Sequence, residues 1–63
     1  MANIKRLREK VGKTQMQLAE DLGVTQACVA MWETGKAFPN SDKLPVLARV
    51  LGCTIDELYG KVV

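Results

Sequence analysis

Apolar positions along this 63-residue chain come in short groups, and a glycine or a capping side chain closes almost every one. Ile4, Leu7 and Val11 fall at i, i+3 and i+7, the spacing of one face of a helix that stops near Gly12. Thr14 opens a second helix and forms a capping box with Gln17, each side chain taking up a backbone donor that the first turn leaves unpaired. Leu18, Ala19 and Leu22 make its apolar stripe, and Gly23 ends it where a left-handed backbone costs least. Thr25 caps a third helix that reaches about Thr34 and stops at Gly35, with Val24 and Val29 spaced as a hydrophobic staple. After a loop over residues 36–40, a fourth helix begins between Ser41 and Pro45, because proline is tolerated only in a first turn. Leu47, Ala48 and Leu51 give it an inward face before Gly52. Thr54 with Glu57 forms a second capping box, and Cys53 with Leu58 a staple, for a short fifth helix. No period-two alternation, repeat, linker or low-complexity tract interrupts the series. The pattern predicts a compact all-α domain of five helices over residues 1–63.

Length sets the energetic frame. A chain of this size buries only about 60% of the surface that its unfolded form exposes, so the core is barely sufficient. Apolar residues make up 48% of it, which is enough to fold without disulfides or metal. No room is expected for a second sensory or catalytic domain. The net charge is only +2, but Lys5, Arg6, Arg8, Lys10 and Lys13 crowd the first thirteen residues against a lone Glu9. Such a cluster is either a solvated helix face or a surface suited to a polyanion.

Other chemistry is sparse. Cys28 and Cys53 fit no metal-ligand spacing and there is no histidine, so both are read as small buried hydrophobes in a reducing cytosol and no metal site is expected. No apolar run reaches membrane-spanning length, and Asn3-Ile4-Lys5-Arg6 leads into no signal-peptide core. A soluble cytoplasmic protein without a membrane partner is expected. With no visible base beside either cysteine and no volume for a ligand pocket, no catalytic residue, cofactor or small-molecule ligand is expected.

Residues 15–34 are the informative stretch. Two short helices are joined by Gly23-Val24-Thr25, too few residues for an antiparallel return, so they must cross steeply as a helix-turn-helix. Ala19 keeps the first of them thin at the crossing, while Leu18, Leu22, Val24, Val29 and Trp32 clamp the pair. On a wheel of about 100° per residue, Gln26, Ala27, Ala30, Met31 and Thr34 share one arc of the third helix. Cys28, Val29, Trp32 and Glu33 share the other. The outward arc carries no Lys or Glu, as a merely solvating face would; it is shaped for close approach. An inward Glu33 needs a cation, because an unpaired buried charge is costly.

Assembled in order, Leu7-Arg8, Gly12-Lys13-Thr14-Gln15, Leu18-Ala19, Leu22-Gly23-Val24-Thr25-Gln26, Val29, Trp32-Glu33-Thr34-Gly35, Pro39, Leu44, Leu47-Ala48, Leu51-Gly52 and Asp56-Glu57-Leu58 resemble the Cro and phage-repressor (XRE) family of helix-turn-helix proteins. The resemblance runs nearly the whole chain and implies a lambda-repressor-like DNA-binding domain. It implies that the recognition helix, residues 25–34, enters the major groove of double-stranded DNA, with Gln26 reading a base edge. Glutamine can pair bidentately with adenine N6 and N7, and Ala27 and Met31 could meet thymine methyls. Met31 is otherwise a core or merely exposed residue.

The matching glutamine of the family touches the sugar-phosphate backbone and braces the recognition glutamine, a role that falls here on Gln15; a simple capping role is the alternative. Thr14, Thr25, Thr34, Lys36 and Asn40 are the further phosphate candidates, with Lys36 otherwise a plain loop lysine. Phosphate contacts of this kind fix register without reading sequence. The family's arginine–glutamate pair maps to Arg8 and Glu33, in a structural role. Ala27 departs from the polar residue often found there, and the loop is poor in cations. No minor-groove arm is expected from so short a leading segment.

The implied function is that of a sequence-specific transcriptional regulator, read as a repressor, in a bacterial or phage-infected cell. A palindromic operator follows, with either a weak homodimer or a monomer that pairs on DNA, the contacts coming from the fourth and fifth helices and the tail, where Tyr59, Val62 and Val63 are the exposed candidates. The competing reading is an antitoxin-like protein-interaction module of the same fold. The small outward Gln26 and Ala27 argue against it, since such a helix would favour larger apolar anchors.

Overall fold

The computed structural model describes residues 2–59, which form five helices: α1 (Ala2–Lys10), α2 (Gln15–Leu22), α3 (Gln26–Thr34), α4 (Leu44–Leu51) and α5 (Ile55–Tyr59). There is no strand among the described residues, and no helix is long and apolar enough to cross a membrane. Val62 and Val63, named above as dimer candidates, lie outside the described residues.

Local chemistry explains the boundaries. Thr14 Oγ1 accepts from the Gln17 N–H at 3.1 Å, and Gln17 Oε1 accepts from the Thr14 N–H at 2.9 Å, so the capping box of α2 is complete. Thr25 Oγ1 accepts from the Cys28 N–H at 3.2 Å and opens α3. Between them Gly23 sits at φ 70°, a left-handed conformation that a side chain disfavours, and its N–H closes back on α2. The turn therefore needs its glycine for the backbone alone, as a Cβ there would meet nothing within 4 Å.

Helix α4 starts differently. Lys43 offers no side-chain cap; instead the Asn40 carbonyl accepts from the Lys43 and Leu44 N–H groups, and Pro45 sits in the first turn. Lys43 Nζ also donates to the Leu22 carbonyl at 3.0 Å, which ties the start of α4 to the end of α2. The Thr54–Glu57 box opens α5, and Asn3 Nδ2 donates to the Glu57 carbonyl at 2.7 Å, joining α1 to α5.

Each helix contributes one fully buried anchor: Ile4, Leu18, Val29, Leu47 and Leu58. Leu7, Ala19, Leu22, Trp32, Ala48 and Leu51 complete the core, each large aliphatic worth about 1.5–3 kcal/mol on burial. Two expectations need correction. Val11 lies beyond α1 and is 42% exposed, because the helix ends at Lys10 and the chain turns at Gly12 (φ 76°) before a third apolar position can face the core. Cys28 and Cys53 are free thiols only half buried at the edge of the core. Burial and the nearby Glu57 carboxylate push the Cys53 thiol pKa up.

Candidate nucleic-acid interface

Helix α3 buries Val29 and Trp32 and turns Gln26, Ala27, Met31 and Thr34 to solvent, with Ala30 half buried between the two faces. The exposed face is uncharged along its whole length, and Gln26 stands at its N-terminal end.

Behind Gln26 runs a chain of polar contacts that begins in the core. Arg8 Nε donates to Glu33 Oε2 at 2.6 Å, and Arg8 Nη2 reaches Glu33 Oε1 at 3.4 Å. Both side chains are nearly out of water, at 11% and 4% exposure. The remaining arm of the guanidinium, Nη1, donates to the Lys13 carbonyl at 2.8 Å and fastens the turn between α1 and α2. Gln15 Nε2 then donates to Glu33 Oε1 at 2.9 Å, and Gln26 Nε2 approaches Gln15 Oε1 at 3.5 Å, the outer limit of a hydrogen bond. Burial raises the Glu33 carboxyl pKa, but the bonds from Arg8 and Gln15 and the charges of Arg8 and Lys5 outweigh it and leave it lowered. The bond to Glu33 holds Arg8 above its ordinary value. Glu33 is thus a buried carboxylate that stays ionised.

The other candidates fall in different places. Gln15 begins α2, where the first N–H groups of a helix lack intrahelical partners and the dipole is positive. Thr14 and Thr25 accept hydrogen bonds as caps, which leaves each hydroxyl proton free to donate outward. Thr34 is the reverse: its hydroxyl donates to the Met31 carbonyl at 3.2 Å, so as placed it has no proton to give a phosphate. Lys36 is exposed and unpaired among the described residues, and Asn40 is exposed with its carbonyl engaged at the start of α4. The basic cluster of the first thirteen residues does not act as one patch. Arg8 is committed to Glu33 and Lys13 pairs with Asp21 at 2.9 Å, leaving Lys5, Arg6 and Lys10 on the exposed side of α1.

Two contacts were not foreseen from sequence: Gln15 to Glu33, and Arg8 to the Lys13 carbonyl. Neither follows a helical spacing, since they join residues 18 and 5 apart across different elements. A groove of about 510 Å³ lies beside the α1–α2 turn, bordered by Val11, Gly12, Lys13, Gln17, Glu20 and Asp21, and is broadly open to solvent.

Comparison with known proteins places this geometry. The family model described as helix-turn-helix (HTH_3) matches residues 4–58. The chain is 40% identical over 55 residues to the HTH-type transcriptional activator BcrR of Enterococcus faecalis, covering 87% of this chain and 27% of that protein. It is 33% identical over 54 residues to the cryptic phage CTXphi transcriptional repressor RstR of Vibrio cholerae, covering 86% of this chain and 48% of that one. It therefore spans between a quarter and a half of the length of these relatives. Among solved structures, a transcriptional regulator from Listeria innocua superposes with a TM-score of 0.84 at 38% identity, over 97% of this chain and 57% of that one. The P22 c2 repressor protein in complex with a synthetic operator gives 0.82 at 31% identity, over 87% of this chain and 83% of that one. With the five-helix fold, the threonine-capped α2–α3 pair and the match from Ile4 to Leu58 all in agreement, the chain belongs to the helix-turn-helix family of the Cro and phage-repressor type.

Proposed function

We propose that the chain is the sequence-specific DNA-binding part of a transcriptional regulator and that α3 reads base edges in the major groove. The observation that carries this reading is the exposed, uncharged face of Gln26, Ala27 and Met31 on a helix whose opposite face is core. Charged side chains would keep water and distance; these let the helix backbone come close to a base pair. The similarity to the P22 c2 repressor, solved with a synthetic operator, supports the same mode of docking.

In this reading Gln26 pairs with adenine, and Ala27 and Met31 take up thymine methyl groups. Gln15, Thr14, Thr25, Lys36 and Asn40 hold phosphates and fix register, with Thr34 joining them only if its hydroxyl turns away from Met31. Arg8 and Glu33 hold α1 and α3 together. Repression is the proposed outcome in a bacterial or phage-infected cytoplasm, because occupying an operator requires nothing beyond this face.

Selection of bound fragments from random DNA tests the proposal, with a single enriched motif expected. Titration of that motif at several salt concentrations should give a linear log–log plot with a slope of about −0.9 for each phosphate neutralised. A flat plot, or selection that enriches no sequence, overturns it.

A further inference from the structure

We propose that Glu33, beyond its ion pair with Arg8, is a positioning residue that sets the hydrogen-bonding direction of Gln26 and so selects the base that Gln26 accepts. The inference rests on the reading of α3 as the base-reading helix.

An amide has a donating end and an accepting end, and only its partners decide which way it points. Glu33 resolves the choice for the whole chain of contacts. Its carboxylate, fixed by Arg8 at 2.6 Å and 4% exposed, can only accept. Gln15 must therefore turn Nε2 toward it, as the 2.9 Å contact has it, and this leaves Gln15 Oε1 facing α3. That oxygen in turn can only accept, so Gln26 is directed to bring Nε2 to it, at 3.5 Å. One N–H of Gln26 is then spent, and the other N–H and Oε1 remain for an outside partner. One donor beside one acceptor complements adenine, which offers N7 as acceptor and N6 as donor. Guanine offers two acceptors, N7 and O6, and is refused. A reversed Gln26 would present both N–H groups and would accept guanine. The Gln15–Gln26 contact is the loosest link, and the direction passed along it is what the preference depends on.

Glu33→Gln isolates this role. Arg8 still requires an oxygen from residue 33, so the introduced NH2 faces Gln15 and every amide beyond it reverses. The expected result, read by selection and by titration of matched duplexes, is a loss of about tenfold or more in the adenine-to-guanine ratio at the one base lost in Gln26→Ala. Other positions of the motif keep their preferences. Circular dichroism at the assay temperature shows whether this variant is folded, and Gln15→Ala tests separately the link that carries the direction to Gln26. Removing the Gln15 amide should flatten the preference at that same base, whereas a glutamine that only gripped phosphate would weaken binding to every sequence alike. In the double variant, Glu33→Gln should add no further change in preference to that of Gln15→Ala.

Gln15→Ala with the wild-type preference intact overturns the proposal, as does a folded Glu33→Gln that still favours adenine. Either result leaves DNA binding by α3 standing. A wild-type chain that enriches no motif overturns both, and a motif unaltered by Gln26→Ala removes Gln26 as the reader.

Discussion

Arg8 and Glu33 join the fold to its exposed face, and their energetics follow from burial. Two nearly dry charges attract strongly, but each has lost its water, so the pair is far more costly to break than it is stabilising to have. Glu33→Ala leaves a guanidinium stranded against α3, and we expect a loss of about 3–5 kcal/mol in urea unfolding. A domain this small has a total of only about 5–15 kcal/mol at best. The variant should therefore be largely unfolded at 37 °C, and a melting curve like the wild type's would show that the pair carries little. Acid offers a second test of the same residue. Because the folded Glu33 pKa is lowered, its contribution is complete above the ordinary carboxyl value of 4.5 and is lost as pH falls through the lowered value. The wild-type melting temperature should thus decline steeply on the acid side. Glu33→Gln, which has nothing to protonate at that position, should decline less steeply, and parallel curves would refute the assignment.

Among the elements, the stops and starts were the most legible feature of the sequence. Thr14 with Gln17, Thr25, Thr54 with Glu57, and the glycines 23, 35 and 52 mark helix ends through short-range chemistry, and the structure uses each of them in that way. Val11 falls outside the core because a spacing rule does not show where a helix ends: the Gly12 N–H closes on the Glu9 carbonyl and the Lys13 N–H on the Arg8 carbonyl around the left-handed Gly12, and Arg8 Nη1 then fastens the Lys13 carbonyl, a contact that no spacing reveals. The outward face of α3 was readable from its wheel. The bond from Gln15 to Glu33 was not, since it depends on how α2 crosses α3 in three dimensions. The caps make quantitative predictions. Thr25→Ala and Thr14→Ala should each cost about 1 kcal/mol in denaturant unfolding, within a range of about 0.5–2 kcal/mol, because each removes one hydroxyl that accepts from a first-turn N–H, while the backbone N–H of residue 14 keeps Gln17 Oε1 as its acceptor. Gly23→Ala should cost about 1–2 kcal/mol from its left-handed backbone alone, as the space around it is open. A destabilisation well beyond that would mean that the turn packs more closely than this geometry allows.

For the molecule as a whole, the open question is how so small a reader finds a unique site. One helix in one groove covers only a few base pairs, so a second copy across a two-fold axis is the economical solution. Half-sites one turn apart place two chains about 34–36 Å from each other. The described residues span 32 × 23 × 20 Å, so each copy is about as long as the spacing between half-sites. Across α4 and α5 the exposed large apolar side chains among the described residues are Ile55 at 39% and Tyr59 at 55%, since Leu44, Val46 and Val50 of α4 lie partly buried against the core. A stable interface needs about 800 Å² from each partner, far more than two side chains supply. We therefore expect a monomer in solution that pairs on DNA, where the duplex holds both copies at high effective concentration. Sedimentation of the free chain should give the monomer mass, and a palindromic duplex should bind two chains cooperatively. Tyr59→Ala should reduce that cooperativity while leaving binding to a single half-site unchanged. Saturation at one chain per palindrome, with no symmetry in the selected motif, would remove the dimer from the account.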